Sequence, residues 1–135
     1  MGTSSARPLI FDAGALVQLE NRNARMIALI EEARHQERTI IVPATVLAQV
    51  WRSAGGKQVA IARLLKRQQK GTVRLEVLDE ASAKAVGLLA AISGHDDVPD
   101  GHVAYLSLRY GNAPVLTQDA GDIRKVSPHI PIVTV

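Results

Sequence analysis

The chain has 135 residues, enough for one domain with a buried core. Hydrophobic residues make up 47% of it but aromatics only 3%, so the core must be aliphatic, and the lack of cysteine excludes disulfides, thiolate metal sites and thiol catalysis. The net charge is +3, and no apolar run reaches the roughly 18 residues that span a bilayer, which points away from membranes.

Residues 1–7 lack the apolar stretch of a signal peptide and read as a disordered lead, leaving 8–135 as a single domain. A chain without cysteine also suits a reducing cytoplasm. Leu9 to Phe11 reads as a buried strand closed by Asp12, and Ala13 to Glu20 as a short helix. Asn23 to Glu37 carries Met26, Ile27, Ile30 and Ala33 at helical spacing. Thr39 to Val42 is β-branched and reads as a second strand. Pro43 suits a first helical position, and Val46, Leu47, Val50, Trp51 and Ala54 then form an apolar stripe, which makes core packing the expectation for Trp51 over base stacking. Gly55-Gly56 breaks that helix. Gln58 to Gln69 forms another, with Ile61, Ala62, Leu64 and Leu65 turned inward, and Val73 to Leu78 alternates as a strand.

Asp79 is an N-cap, with Ser82 and Lys84 expected on the outer face of the helix that follows and Val86, Leu89 and Ile92 inside. Ser93-Gly94-His95 is a loop. Asp100 to Tyr110 is helical, Pro114 to Leu116 a strand, Asp119 to Val126 a short helix and Ile130 to Thr134 a last strand. Strands alternating with helices predict a parallel sheet with helices on both faces.

Carboxylates recur where strands end or helices begin: Asp12, Asp97, Asp100, Asp119 and Asp122. Parallel strands bring such ends to one edge of a sheet. Asp100 shares a helix face with Val103, Ala104 and Ser107, which is small and apolar, so its charge should turn inward and need a partner. Asp97 reads first as the N-cap of that helix and second as an outer ligand. Asp119 and Asp122 bracket the start of a short helix, where capping accounts for one of them. Two carboxylates about 4 Å apart repel by roughly 4 kcal/mol at an effective dielectric of about 20. Several together would consume much of a small domain's stability of about 5–15 kcal/mol. A hard divalent cation relieves that cost, and oxygen ligands favour Mg2+ or Mn2+ over zinc. His35, His95, His102 and His129 show no zinc spacing, and His102 is expected to face away from Asp100. Thr117 either orients a ligand or is simply a β-branched strand residue. From Arg52 to Arg74 the charges are all positive: Arg52, Lys57, Arg63, Lys66, Arg67, Lys70 and Arg74. They read as a solvated helix face or as a guide for a polyanion.

Three motifs in order resemble the PIN domain family, in particular its small toxins of the VapC type. They are Ile10-Phe11-Asp12 with Leu16, the run from Asp100 through Val103 and Ala104, and Thr117-Gln118-Asp119 with Asp122. The resemblance extends from Leu9 to Val133. It implies a three-layer α/β/α sandwich with a short, mainly parallel sheet. It also implies metal-dependent cleavage of single-stranded RNA, with Asp12, Asp100 and Asp119 as catalytic metal ligands and Asp122 nearby. A cognate antitoxin and a homodimer are implied as partners. The helices over 23–37 and 46–54 are expected to form the antitoxin's groove. Arg52, Lys57, Arg63, Lys66 and Arg67 would guide RNA. The family places a Glu where this chain has Gln49; Glu20 is the candidate replacement. A rival reading is a silent module that binds RNA or antitoxin without cutting. A phospho-acceptor domain needs an acidic pair on the first strand, where Phe11-Asp12-Ala13 offers one carboxylate.

Overall fold

Three apolar runs build the middle of the sheet in the computed structural model, which describes residues 7–52 and 58–135. Strands β1 (Leu9–Phe11), β2 (Ile40–Pro43) and β4 (Val115–Thr117) are buried at every position, as strands covered on both faces must be. The edges are β3 (Val73–Glu76) and β5 (Ile132–Thr134), which are less buried. The order is β3-β2-β1-β4-β5 and each neighbouring pair is parallel. Ile10 sits between Ile41 and Val115 in register.

The chain therefore builds outward from β1 through β2 to β3, then crosses back to lay β4 and β5 on the other side of β1. Adjacent loops at such a reversal leave the sheet in opposite directions and open a crevice at the carboxyl ends of the strands. Asp12 follows β1 directly and Thr117 ends β4, so both stand at that crevice.

The helices are α1 (Ala13–Glu20), α2 (Ala24–His35), α3 (Ala44–Val50), α4 (Val59–Lys66), α5 (Glu80–Ser93), α6 (Val98–Arg109) and α7 (Ala120–Val126), with a 3-10 turn over Arg67–Lys70. They flank the sheet: α1 packs on α2, α3 and α4, while α6 packs on α5, α7 and α3. This is the expected α/β/α architecture, with a sheet that is wholly parallel among the described residues. Side-chain caps start α1, α2, α5, α6 and α7 at Asp12, Asn23, Asp79, Asp97 and Asp119. The face of α6 that carries Val103, Ala104 and Ser107 is fully buried. Close packing of α6 on α5 depends on Gly101, where a Cβ would lie 2.8 Å from Val86 Cγ1.

Several local expectations are corrected. Ile92 is 84% exposed, because it lies six residues beyond buried Val86, about 120° round the helix. Ser82, expected outside, is buried: its N–H and hydroxyl both donate to Asp79 Oδ1, which draws it under the cap. Trp51 is not in the core but 44% exposed, since α3 ends at Val50 and the backbone leaves helical geometry there. Ile27 is half exposed; the buried side of α2 is carried by Met26 and Ala33. Pro43 ends β2 and caps α3 instead of lying inside it. β3 stops at Glu76, α6 starts two residues before Asp100, and β5 starts at Ile132. Met1 to Ala6, Ala54, Gly55, Gly56 and Lys57 lie outside the described residues.

Candidate active site

The crevice holds a cavity of about 220 Å3 lined by Asp12, Asp97, Asp100, Asp119, Asp122, Gln49 and Thr117, together with Ala13, Gly14, Val46 and Gln118. Residues separated by more than a hundred positions meet there because β1, β4, α3 and α6 converge on one edge of the sheet. Three of the carboxylates are placed by a local backbone contact. Asp12 Oδ1 accepts from the Ala15 N–H at 2.9 Å, Asp97 Oδ1 from the Asp100 N–H at 2.8 Å and Asp119 Oδ1 from the Gly121 N–H at 2.9 Å. The Thr117 hydroxyl accepts from the Asp119 N–H at 3.1 Å, which holds the β4–α7 turn against the strand. Gly14 stands two residues after Asp12, beside the β4–α7 turn. A Cβ there would meet the Gln118 side chain at 3.0 Å, so the two loops already touch.

The site resists its own charge. Burial pushes the Asp12 carboxyl above its usual range; the Thr117 hydroxyl and the Ala15 amide oppose this, and the charge on Asp100 adds to it. Burial likewise raises Asp100, with a hydrogen bond from His95 opposing the shift and the charges of Asp97 and Asp122 adding to it. Asp122, about half exposed, is 3.5 Å from Lys125 Nζ. The donor set therefore suits a hard cation in kind: clustered carboxylate oxygens, partly desolvated and mutually repelling. In arrangement it is splayed. Among the described residues no three histidine or acidic side chains are gathered closely enough to hold a metal as they stand.

Gln49 lines the cavity from α3. His102 is fully buried, faces away from Asp100 and shares a hydrogen bond of 2.8 Å with Thr45 Oγ1, which ties α6 to the first turn of α3 and so fixes Gln49 relative to Asp100. Glu20, the candidate replacement, does not line this cavity. Its carboxylate accepts from the Ile61 N–H at 2.9 Å, near the start of α4, and it lines a different cavity.

That second cavity is larger, about 550 Å3, and is lined by Leu19, Ile27, Ile30, Val59, Ala60 and Leu64 with Glu20, Arg22, Arg63 and Arg67. Among the described residues it shares no lining residue with the acidic crevice. It lies between α2 and α4 with α1 as its floor, and none of its described lining comes from α3, so it is not the groove expected between the helices over 23–37 and 46–54. Arg63 and Arg67 belong to it and not to the acidic site. Lys66 is exposed on α4. Arg52 is exposed just past the end of α3, its Nε donating to the Gln49 carbonyl at 2.7 Å. Lys57 is outside the described residues.

Sequence reasoning missed His95, whose Nε2 is 2.9 Å from Asp100 Oδ2. The sequence shows only its position: Gly94 follows a long helical run, a common place for a helix to end in a left-handed turn, and His95 stands just before the Asp97 cap, but where that turn aims the imidazole is set by the fold.

No protein-family model matches the chain, and no curated protein matches it. Solved structures do. FitAcB from Neisseria gonorrhoeae aligns over 93% of this chain and 96% of its own, with a TM-score of 0.62 at 16% identity. FitAB bound to an IR36 DNA fragment aligns over 93% and 94%, with a TM-score of 0.60 at 15% identity. PAE2754 from Pyrobaculum aerophilum aligns over 95% and 92%, with a TM-score of 0.56 at 20% identity. At these identities the likeness is one of fold, and the fold is PIN-like.

Proposed function

We propose that this protein is a Mg2+- or Mn2+-dependent endoribonuclease acting on single-stranded RNA, the toxin of a toxin–antitoxin pair working in the cytoplasm. The observation that carries the reading is the convergence of Asp12, Asp97, Asp100, Asp119 and Asp122 on one partly desolvated cavity at the sheet's reversal point. Asp12, Asp100 and Asp119 are the residues that would hold the cation. A cation bound there lowers the pKa of a coordinated water and offsets charge on a phosphate.

The chain's own contribution is placement. Asp12 is fixed by the first turn of α1, Asp119 by its bond to Gly121 and by the turn that Thr117 anchors. No aromatic side chain lines the cavity, so it offers a base nothing to stack on. A phosphodiester backbone is the better fit, with base selection left to the surroundings. Arg52 at the end of α3 is placed to meet the approaching strand, being exposed beside the Gln49 turn.

The groove between α2 and α4 supplies the partner surface. Its apolar floor and the rim of Arg22, Arg63 and Arg67 suit an amphipathic helix with acidic edges, which is the form we assign to the antitoxin. The similarity to FitAB, solved with a DNA fragment, supports a setting in which the pair as a whole meets nucleic acid. Self-association as a homodimer belongs to the same reading, and light scattering of the purified protein tests it.

A second reading has one observation in its favour. Gln49 stands in the cavity wall with an amide and no charge, which suits a module that binds RNA or antitoxin without cutting. One experiment separates the two. Purified protein is incubated with a mixed single-stranded RNA pool in Mg2+, Mn2+ or EDTA, beside Asp100→Asn. The nuclease reading expects metal-dependent cleavage that the variant lacks. Retention of RNA without cleavage in either metal favours the silent module.

A further inference from the structure

One carboxylate of the acidic crevice, Asp100, has a side-chain partner from outside the crevice lining. At the end of α5 the chain turns through Gly94, whose φ of 73° is left-handed and whose N–H donates to the Ala90 carbonyl at 2.9 Å. The next N–H, that of His95, donates to Ser93 Oγ at 3.1 Å and fixes the direction of the exit. Two residues later Asp97 caps α6 and receives the Asp100 N–H. Within this short link the His95 imidazole reaches Asp100, which lines the cavity, its Nε2 2.9 Å from Asp100 Oδ2, with both side chains 21% exposed. An ionised carboxylate only accepts hydrogen bonds, so Nε2–H is the donor.

We infer that His95 is a positioning residue for Asp100, holding one carboxylate oxygen so that the other is presented to a divalent cation in the crevice. This deepens the metal-site reading given above and rests on it. The physical need is specific. Asp12, Asp97 and Asp122 carry like charges near Asp100, and repulsion would otherwise turn its carboxylate toward solvent. The Asp97 cap anchors only the Asp100 backbone. The His95 N–H anchors the carboxylate itself, and it is supplied by a link whose course Ser93, Gly94 and Asp97 define. Partners of this kind orient the groups that bind a metal, and removing one typically weakens affinity roughly 10–100-fold.

The test is calorimetric titration of MnCl2 into the wild-type protein, His95→Ala, His95→Gln and Asp100→Asn at neutral pH, with thermal melts of each metal-free protein. His95→Ala is expected to bind Mn2+ at least about tenfold more weakly than wild type while melting within a few degrees of it. His95→Gln, which keeps an N–H donor at similar reach, is expected to recover most of the affinity. His95→Ala binding as tightly as wild type or more tightly overturns the inference, as does an equal loss in Ala and Gln, which would make the imidazole itself a ligand. Wild type that takes up no Mn2+, or Asp100→Asn that binds unchanged, overturns the metal-site reading and this inference with it.

Discussion

Asp12 carries the cost of gathering acids in one crevice. Burial and the neighbouring Asp100 hold its carboxyl above the usual range. A carboxyl with a raised folded-state pKa contributes stability that is fully present below its unfolded-state pKa and is lost as pH rises through the folded one. Asp100 acts in the same direction, so both remove stability as pH rises above about 4, the ordinary carboxyl value. Asp12→Asn removes the ionisation but keeps an oxygen for the Ala15 N–H. In EDTA the variant is expected to melt above wild type at pH 7, by an amount that shrinks toward about pH 4. Asp79, lowered by its Ser82 bonds, is common to both proteins and cancels in the comparison. Melting curves across this range decide it: a gap independent of pH would show that Asp12 is not held ionised at a cost. Mn2+ is expected to narrow the gap by stabilising wild type alone. The motif residues Asp12, Asp100 and Asp119 were legible in the sequence because each follows a run of apolar residues or opens a helix. His95 was not, because its role depends on where a glycine turn aims it.

At the scale of elements, the seam between α5 and α6 governs the site, since Asp100 lies on the first turn of α6 and His95 just before it. Gly101 lets the two helices approach, and the obstacle to a larger residue is Val86 Cγ1, a stiff β-branched group at 2.8 Å. Overpacking of this kind costs typically about 1–3 kcal/mol, from which the better helix propensity of alanine returns up to roughly 1 kcal/mol. Gly101→Ala is therefore expected to destabilise by about 1–2 kcal/mol in urea denaturation, and adding Val86→Ala should cost less than the sum of the two single changes. Strict additivity would mean that the seam does not limit this packing. Helix periodicity identified the buried face of α6 from Val103, Ala104 and Ser107 alone. It failed at Ile92 and Trp51, where the phase of a helix or its last residue is set by neighbours that periodicity does not contain.

For the whole molecule, the two cavities divide the proposed work. The acidic crevice belongs to the reversal between β1 and β4, and the apolar groove to α1, α2 and α4. A change in one should leave the other intact. Ile27→Asp places a charge on the groove wall, where Ile27 is already half exposed and so tolerant of substitution. It is expected to abolish co-purification of a small partner from the native host and leave RNA cleavage unchanged. Asp100→Asn is expected to do the reverse. Loss of both properties in either variant would show that groove and crevice form one surface.

The sequence by itself determined the alternation of strands and helices, the aliphatic core, the caps at Asp79 and Asp97 and the carboxylates that meet in the crevice. Those are local properties: runs of apolar residues bury strands on both faces, and Asp before a helix satisfies amides that the helix leaves open. Only the tertiary structure decided which side chains share a cavity. It sent Glu20 to the start of α4 and not to the acids, because the end of α1 packs there. It placed Arg63 and Arg67 on the groove, left Trp51 and Ile92 on the surface, and brought the unnoticed His95 onto Asp100. Such pairings arise from the order of strands in the sheet and from the packing of helices far apart in sequence, and neither is written in any single stretch of the chain.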